Sequence, residues 1–329
     1  MRPVRQNDKN GTNGAGARWG VGVLALALLV SGCAETGSAP GSGSAPGSGS
    51  APGSGSGSGA AKPAHGRQVR LQAPPARALD AYASRLRLAQ ARRVAAAKRW
   101  GLAGVPLTPP APPARKPVIE ARKGFEVDGQ EELGLPPVFT TVPTKDKVVF
   151  LTIDDGEEKD PAFLRMMSDL KIPYTAFLSD YLVKDDYGYF RKMRDRGITL
   201  NNHTLHHPYL PALSYARQKR EICGMQDVMK KQFGKRPVLF RPPYGNYNQE
   251  TLRAAKSCGV EYAPIWNEEV FVDHWEYRED DQDLHPGDIV LTHFRGRKDW
   301  KGTMPDMVRR FLKTVTRKGY AVARLEDYL

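Results

Sequence analysis

A distorted or incomplete (β/α) barrel is the α/β fold predicted for this sequence, and three features of its later part predict it. Short runs rich in Val, Ile, Phe and Tyr alternate with longer helix-like stretches, as in a parallel sheet wrapped by helices. Seven such runs can be read, more than an open doubly wound sheet usually shows. The unusual polar residues fall just after these runs, at the edge where the loops of α/β folds converge on one mouth.

In chain order, the predicted strands are residues 148–153, 174–178, 198–200, 238–240, 261–265, 288–292 and 320–323, each a short β-branched, aliphatic or aromatic run. The predicted helices fill the intervals at 160–170, 189–196, 214–233, 249–257 and 304–318. One folded domain spanning 119–329 is therefore expected, because Gly and Pro crowd the chain before about residue 118 and few aromatics appear there.

The N-terminal third divides into four parts. Residues 1–33 have the layout of an export signal: basic Arg2, Arg5, Lys9 and Arg18 precede an apolar run from Val21 to Val30, too short to span a bilayer comfortably. The run ends in Val30-Ser31-Gly32-Cys33, which resembles a bacterial lipobox and implies a lipidated Cys33. A simple cleaved signal or an uncleaved anchor is the alternative. Residues 34–66 carry three copies of Ala-Pro-Gly-Ser-Gly-Ser, beginning at Ala39, Ala45 and Ala51, and have no apolar surface to bury, so a disordered linker is expected. Residues 67–102 favour helix through Ala, Leu and Arg, with a loose apolar stripe of Leu79, Tyr82, Leu86 and Leu88. Residues 103–118 are a proline-rich, stiff spacer.

The net charge is +13, with 49 Lys plus Arg against 36 Asp plus Glu, but its location decides its meaning. Residues 119–329 hold 33 basic and 33 acidic side chains, so the domain is neutral. From Arg67 to Arg99 there are nine basic residues and one acid, Asp80. A nucleic-acid enzyme would carry such charge around its cleft, so no nucleic-acid partner is expected. The basic segment is either a solvated helix of a stalk or a contact for anionic lipid or an anionic wall polymer. Cys223 and Cys258 remain after Cys33, and in an exported protein they are expected to form a disulfide, two free buried thiols being the alternative.

Asp154 and Asp155 follow the first strand, His203 and His207 the third, Arg241 the fourth and His293 the sixth. Two histidines four apart with a carboxylate suit zinc or another divalent transition metal and leave positions open for water. By spacing alone His206 competes with His207 for that role, and Asp154-Asp155-Gly156 also reads as a turn or helix cap.

Taken together and in order, four segments resemble the polysaccharide deacetylases related to the NodB chitooligosaccharide deacetylase, carbohydrate esterase family four. They are Leu151-Thr152-Ile153-Asp154-Asp155-Gly156, His203 to His207, Arg241-Pro242-Pro243-Tyr244-Gly245, and Gly287-Asp288-Ile289-Val290-Leu291-Thr292-His293. The resemblance covers about 147–325 and implies a NodB-type barrel. It implies that Asp155, His203 and His207 hold a divalent metal, zinc first, with cobalt, nickel or manganese as alternatives. It implies that Asp154 is the general base, Arg241 its ionising partner, His293 the general acid, and the Tyr244 N–H an oxyanion donor. The family's Asp that orients the catalytic His is poorly matched here. Within Trp266-Asn267-Glu268-Glu269-Val270-Phe271-Val272-Asp273-His274-Trp275, Asp273 is favoured over Glu268 and Glu269.

The resulting expectation is a monomeric, membrane-anchored enzyme outside the cell that removes N-acetyl groups from an amino-sugar polysaccharide, peptidoglycan or chitin-like. An O-acetyl esterase on xylan or a wall polymer, and a non-catalytic glycan-binding surface protein, are the two competing readings.

Overall fold

A computed structural model describes residues 75–329. The signal segment, Cys33 and the linker at 34–66 lie outside the described residues, as does the beginning of the basic segment.

The central strand is β2 (Val148–Asp155), and its eight residues are all buried. Its alternation explains the architecture. Val149, Leu151 and Ile153 face a core shared with the surrounding helices, whereas Val148 and Phe150 point into a second cluster inside the barrel with Phe139, Phe177, Ile289 and Tyr328. On one edge β2 pairs in parallel with β8 (Ile289–His293). On the other it pairs with β3 (Thr175–Leu178) through its last residues and with β9 (Ala321–Ala323) through its first. Beyond β3 lies β4 (Thr199–Asn202), and beyond β8 lies β6 (Glu268–Val270), which forms a hairpin with β7 (Trp275–Tyr277).

The remaining wall is where the barrel is distorted. Two of the seven expected strands shrink there: Phe240 bridges Asn202, Leu239 bridges Tyr262, and only β5 (Ala263–Pro264) makes a ladder, with β1 (Val138–Phe139). The other five expected strands form, each end displaced by no more than two residues. Strands β1, β6 and β7 and the short helix α3 (Asp180–Val183) were not among the expected elements. The Asn267-Glu268-Glu269 sequence hides β6 because its acids contradict strand propensity, yet Glu268 is 1% exposed.

Helices α2 (Pro161–Leu170), α4 (Tyr187–Arg194), α5 (Tyr215–Phe233), α6 (Gln249–Ser257) and α7 (Met304–Arg317) occupy the expected intervals. Their ends obey local chemistry: Asp160 caps α2 ahead of Pro161, while Thr303 and Asp306 form a reciprocal capping box on α7. Cys223 on α5 and Cys258 at the end of α6 are joined by a disulfide, with Cα atoms 5.1 Å apart.

The compact unit begins earlier than the expected boundary at residue 119. Helix α1 (Pro75–Arg99) has Ala96 and Ala97 buried in the main core, with Trp100, Leu102 and Val105 packed against it. Arg99 and the Trp100 indole both donate to Asp169 of α2, each at 2.9 Å. Composition placed this segment outside the fold because Gly and Pro crowd the chain before about residue 118 and few aromatics appear there, but the small alanines of the helix's last turns admit close helix contact. The proline-rich stretch that follows also lies on the domain, with Leu107 bridging Ala321.

Candidate active site

Strand alternation would send Asp154 and Asp155 to opposite faces of β2. The structure brings them together because Asp155 has φ 78°, a left-handed turn that swings its carboxylate back toward the mouth. Gly156 continues the turn at φ 94°, and a Cβ there would meet Val183 Cγ1 at 2.4 Å. Both carboxylates then lie 3.7 Å from His203 Nε2. Of six non-glycine residues with positive φ among the described residues, four are Asp155, Thr204, His207 and Tyr244, so backbone strain concentrates at this mouth.

Arg241 is completely buried and organises the floor. Its guanidinium donates to Asp154 Oδ1 at 2.8 Å, Thr152 Oγ1 at 2.9 Å and the carbonyl of Pro264 at 2.9 Å, and it stacks over Phe177. Burial pushes the Asp154 carboxyl up to about 7, against the pull of Arg241. The carbonyl of Arg241 accepts from His203 Nδ1 at 2.7 Å. A carbonyl can only accept, so the proton sits on Nδ1 and Nε2 presents a lone pair to the mouth. Burial lowers the His203 pKa to about 3 and keeps that ring neutral.

His207 Nε2 lies 3.5 Å from the same Asp155 oxygen, while His206 turns outward to Glu221 at 2.9 Å and is mostly exposed. The tertiary structure thus separates two histidines that spacing left in competition. Asp155 Oδ1 is buried without a hydrogen-bond donor, and it faces two imidazole nitrogens within 4.8 Å. A buried carboxylate oxygen with no donor, opposed by a lone pair whose tautomer is fixed, is the donor set a divalent transition ion satisfies. Burial favours the neutral Asp155, but the positive charges around it, His293 first and Arg295 among them, prevail and hold its carboxyl below the usual range.

His293 ends β8 in register with Asp154. Its Nδ1 lies 3.0 Å from Glu269 Oε1, and this carboxylate, against the opposing effect of burial, raises the imidazole to about 9. Asp273 does not reach it. That residue is exposed and pairs with its neighbour His274 at 2.7 Å, because β6 ends at Val270 and the hairpin carries Asp273 away. Glu269 replaces Asp273 as the partner of His293; strand pairing of β6 with β8, invisible in the linear order, decides between the three acids.

Tyr244 has φ 61° and a ring 4.6 Å from that of His207, at the rim of the site. Arg295 was not anticipated. Its guanidinium donates to Asp155 Oδ2 at 2.8 Å and pairs with Glu157, so it steadies the oxygen of Asp155 that the histidines do not face. No spacing rule points to it, since it lies in the loop after β8.

With this geometry, known proteins are informative. The model of the polysaccharide deacetylase family matches residues 141–263. An uncharacterized protein of Streptomyces coelicolor is 41% identical over 196 residues, spanning 59% of this chain and 78% of that one. The peptidoglycan-N-acetylmuramic acid deacetylase PdaA of Bacillus subtilis is 27% identical over 198 residues, spanning 56% of this chain and 73% of its own. The solved structure of PdaA, a family 4 carbohydrate esterase, superposes with a TM-score of 0.51 at 21% identity, over 68% of this chain and 96% of that one, and shares the fold. The chain belongs to the polysaccharide deacetylase family.

Proposed function

We propose that this protein hydrolyses the N-acetyl group of an amino sugar within a polysaccharide, peptidoglycan first, releasing acetate and leaving a free amine. The observation that carries the reading is the convergence of the buried Asp154–Arg241 pair, the Asp155, His203 and His207 donors, and the Glu269-held His293 on one mouth. The name of its Bacillus subtilis relative supports a peptidoglycan substrate.

Asp155, His203 and His207 would hold a divalent ion, zinc first. When bound, such an ion supplies Lewis acidity to the acetyl carbonyl and to the attacking water. Asp154, raised to about 7 by burial, is a stronger base than an exposed carboxylate and takes the proton from that water. Arg241 opposes full neutralisation of this carboxyl and fixes its direction. The Tyr244 N–H is the proposed donor to the oxyanion, an interaction worth roughly 3 to 4 kcal/mol in comparable sites. His293 remains protonated at neutral pH beside Glu269 and gives its proton to the departing nitrogen. The amide C–N bond breaks as that proton arrives, and acetate and amine are the products.

We further propose export with lipidation at Cys33, supported by the Val30-Ser31-Gly32-Cys33 sequence, so that a monomer works on the outer face of the membrane. The exposed Leu79, Tyr82, Leu86 and Leu88 beside Arg85, Arg87, Arg92 and Arg93 on α1 support contact with anionic lipid or wall polymer. Acetate release from N-acetylated peptidoglycan, chitooligosaccharide and O-acetylated xylan tests the activity. Release from the first or second supports deacetylation, release only from xylan makes the protein an esterase, and binding without release makes it a glycan-binding protein.

A further inference from the structure

At the other end of β8, roughly 16 Å from His293 at about 3.3 Å per strand residue, lies a second group of ligating side chains. Asp288 immediately precedes β8, Glu268 opens β6, and His285 stands in the turn leading to Asp288. One donor atom from each lies within 4.8 Å of the others. The acetyl-transfer chemistry uses none of them.

Their hydrogen bonds leave a specific deficit. Asp288 Oδ1 accepts from Thr141 Oγ1 at 2.9 Å and Asn267 Nδ2 at 3.4 Å, and Oδ2 accepts from the His285 N–H at 2.6 Å. Glu268 Oε1 accepts from Asn267 Nδ2 at 3.0 Å. Glu268 Oε2, on a residue 1% exposed, has no donor among the described residues. The nearby Arg122 is turned elsewhere, donating to Thr140 Oγ1 at 2.6 Å, to Asn267 Oδ1 at 2.7 Å and to Glu279. Arg278 donates to the Trp266 carbonyl at 3.1 Å. Neither guanidinium forms an ion pair with Glu268 or Asp288.

His285 sharpens the case. Its Nε2 lies 3.0 Å from Asp281 Oδ2, so in the neutral ring the proton sits there and Nδ1 carries a lone pair. That Nδ1 is 3.4 Å from Asp288 Oδ2. A lone pair facing a carboxylate, with a second carboxylate oxygen lacking any donor, calls for a cation between them. The outer carboxylate on the far ring nitrogen is the arrangement that orients metal-bound histidines.

We infer that Glu268, His285 and Asp288 form a second divalent-cation site, distinct from the catalytic mouth, that ties the start of β6 to the start of β8 and to the turn before it. Two carboxylate oxygens and one imidazole suit a borderline first-row ion such as zinc or manganese. The half-exposed His285 gives the ion an entry path.

The test uses the full chain carrying His207→Ala, which disables the catalytic donors, stripped with chelator and titrated with zinc and, separately, manganese. Bound ion is read by elemental mass spectrometry after gel filtration, alongside thermal melting. One ion per chain and a rise in Tm of about 5 °C at saturation are expected. Adding Glu268→Gln or His285→Ala should abolish both. His285→Ala, at a half-exposed position, decides the matter if Glu268→Gln does not fold. Binding of neither metal, or undiminished binding in the His285→Ala chain, overturns the site. Failure of the catalytic reading shows instead in the unmutated chain, as absence of any ion lost on His207→Ala.

Discussion

Glu269 places a carboxylate oxygen 3.0 Å from His293 Nδ1 across the β6–β8 pairing, leaving Nε2 as the nitrogen free to serve substrate. Because this contact raises the imidazole to about 9, Glu269→Gln should lower the pKa of His293. The protonated acid then persists to a lower pH only, so the alkaline limb of kcat should move to lower pH and activity at pH 7 should fall about tenfold or more. Asp273→Asn should leave both within about twofold. Rate profiles of acetate release across pH 5–10 check this; equal profiles for the two variants would sink the assignment.

Base and metal donors should fail differently. Asp154→Asn keeps the Asp155, His203 and His207 donors, so metal content should persist while deacetylation drops about a hundredfold or more. His203→Ala removes the nitrogen whose tautomer Arg241 sets and should lose metal and activity together. Metal analysis beside single-substrate kinetics distinguishes them, and near-normal turnover in metal-loaded Asp154→Asn would remove Asp154 as the base.

The Cys223–Cys258 disulfide closes a loop of sequence separation 35, for which chain entropy gives about 3 to 4 kcal/mol of stabilisation. Reduction, or Cys223→Ser with Cys258→Ser, should lower unfolding stability by that order in denaturant titration. Alkylation of both thiols in unreduced, unfolded protein would exclude the bond.

Ala97 is 3% exposed in the main core, so Ala97→Asp should cost about 2 kcal/mol or more through burial of an unpaired charge. Leu86→Ala, on the exposed stripe of the same helix, should change stability by less than about 0.5 kcal/mol. Equal melting curves for the two variants would show that α1 is not part of the folded unit.

Asp306 accepts from Thr303 and Arg309 at the start of α7, and despite the opposing effect of burial these contacts lower its carboxyl to about 2. A depressed folded pKa contributes stability above the unfolded value, which is lost as pH falls from about 4 toward 2. Asp306→Ala should therefore cost about 1 kcal/mol at pH 7 and progressively less below pH 4, as measured by denaturant unfolding at each pH. A cost independent of pH would mean that the carboxylate charge contributes nothing.

The regular half of this protein was legible from residue order alone. Short β-branched, aliphatic and aromatic runs and the helix-like stretches between them located five strands and six helices, because those elements form through local sequence and the burial it permits. Asp154, Asp155, His203, Arg241 and His293 were legible for a related reason: each lies in the last two residues of a strand or directly after a strand or bridge segment, and parallel strands deliver such positions to one edge. The tertiary structure decided what depends on contact between distant segments. It chose His207 over His206 through a positive φ and an outward turn to Glu221, and Glu269 over Asp273 through a strand pairing whose own sequence argues against a strand. It drew α1 into the core through two alanines whose burial no composition window registers, and brought in Arg295 from a loop with no pattern. Local periodicity specifies which face a residue takes, whereas hydrogen-bond partners across the barrel are set by register and backbone turns, and these exist only once the strands have met.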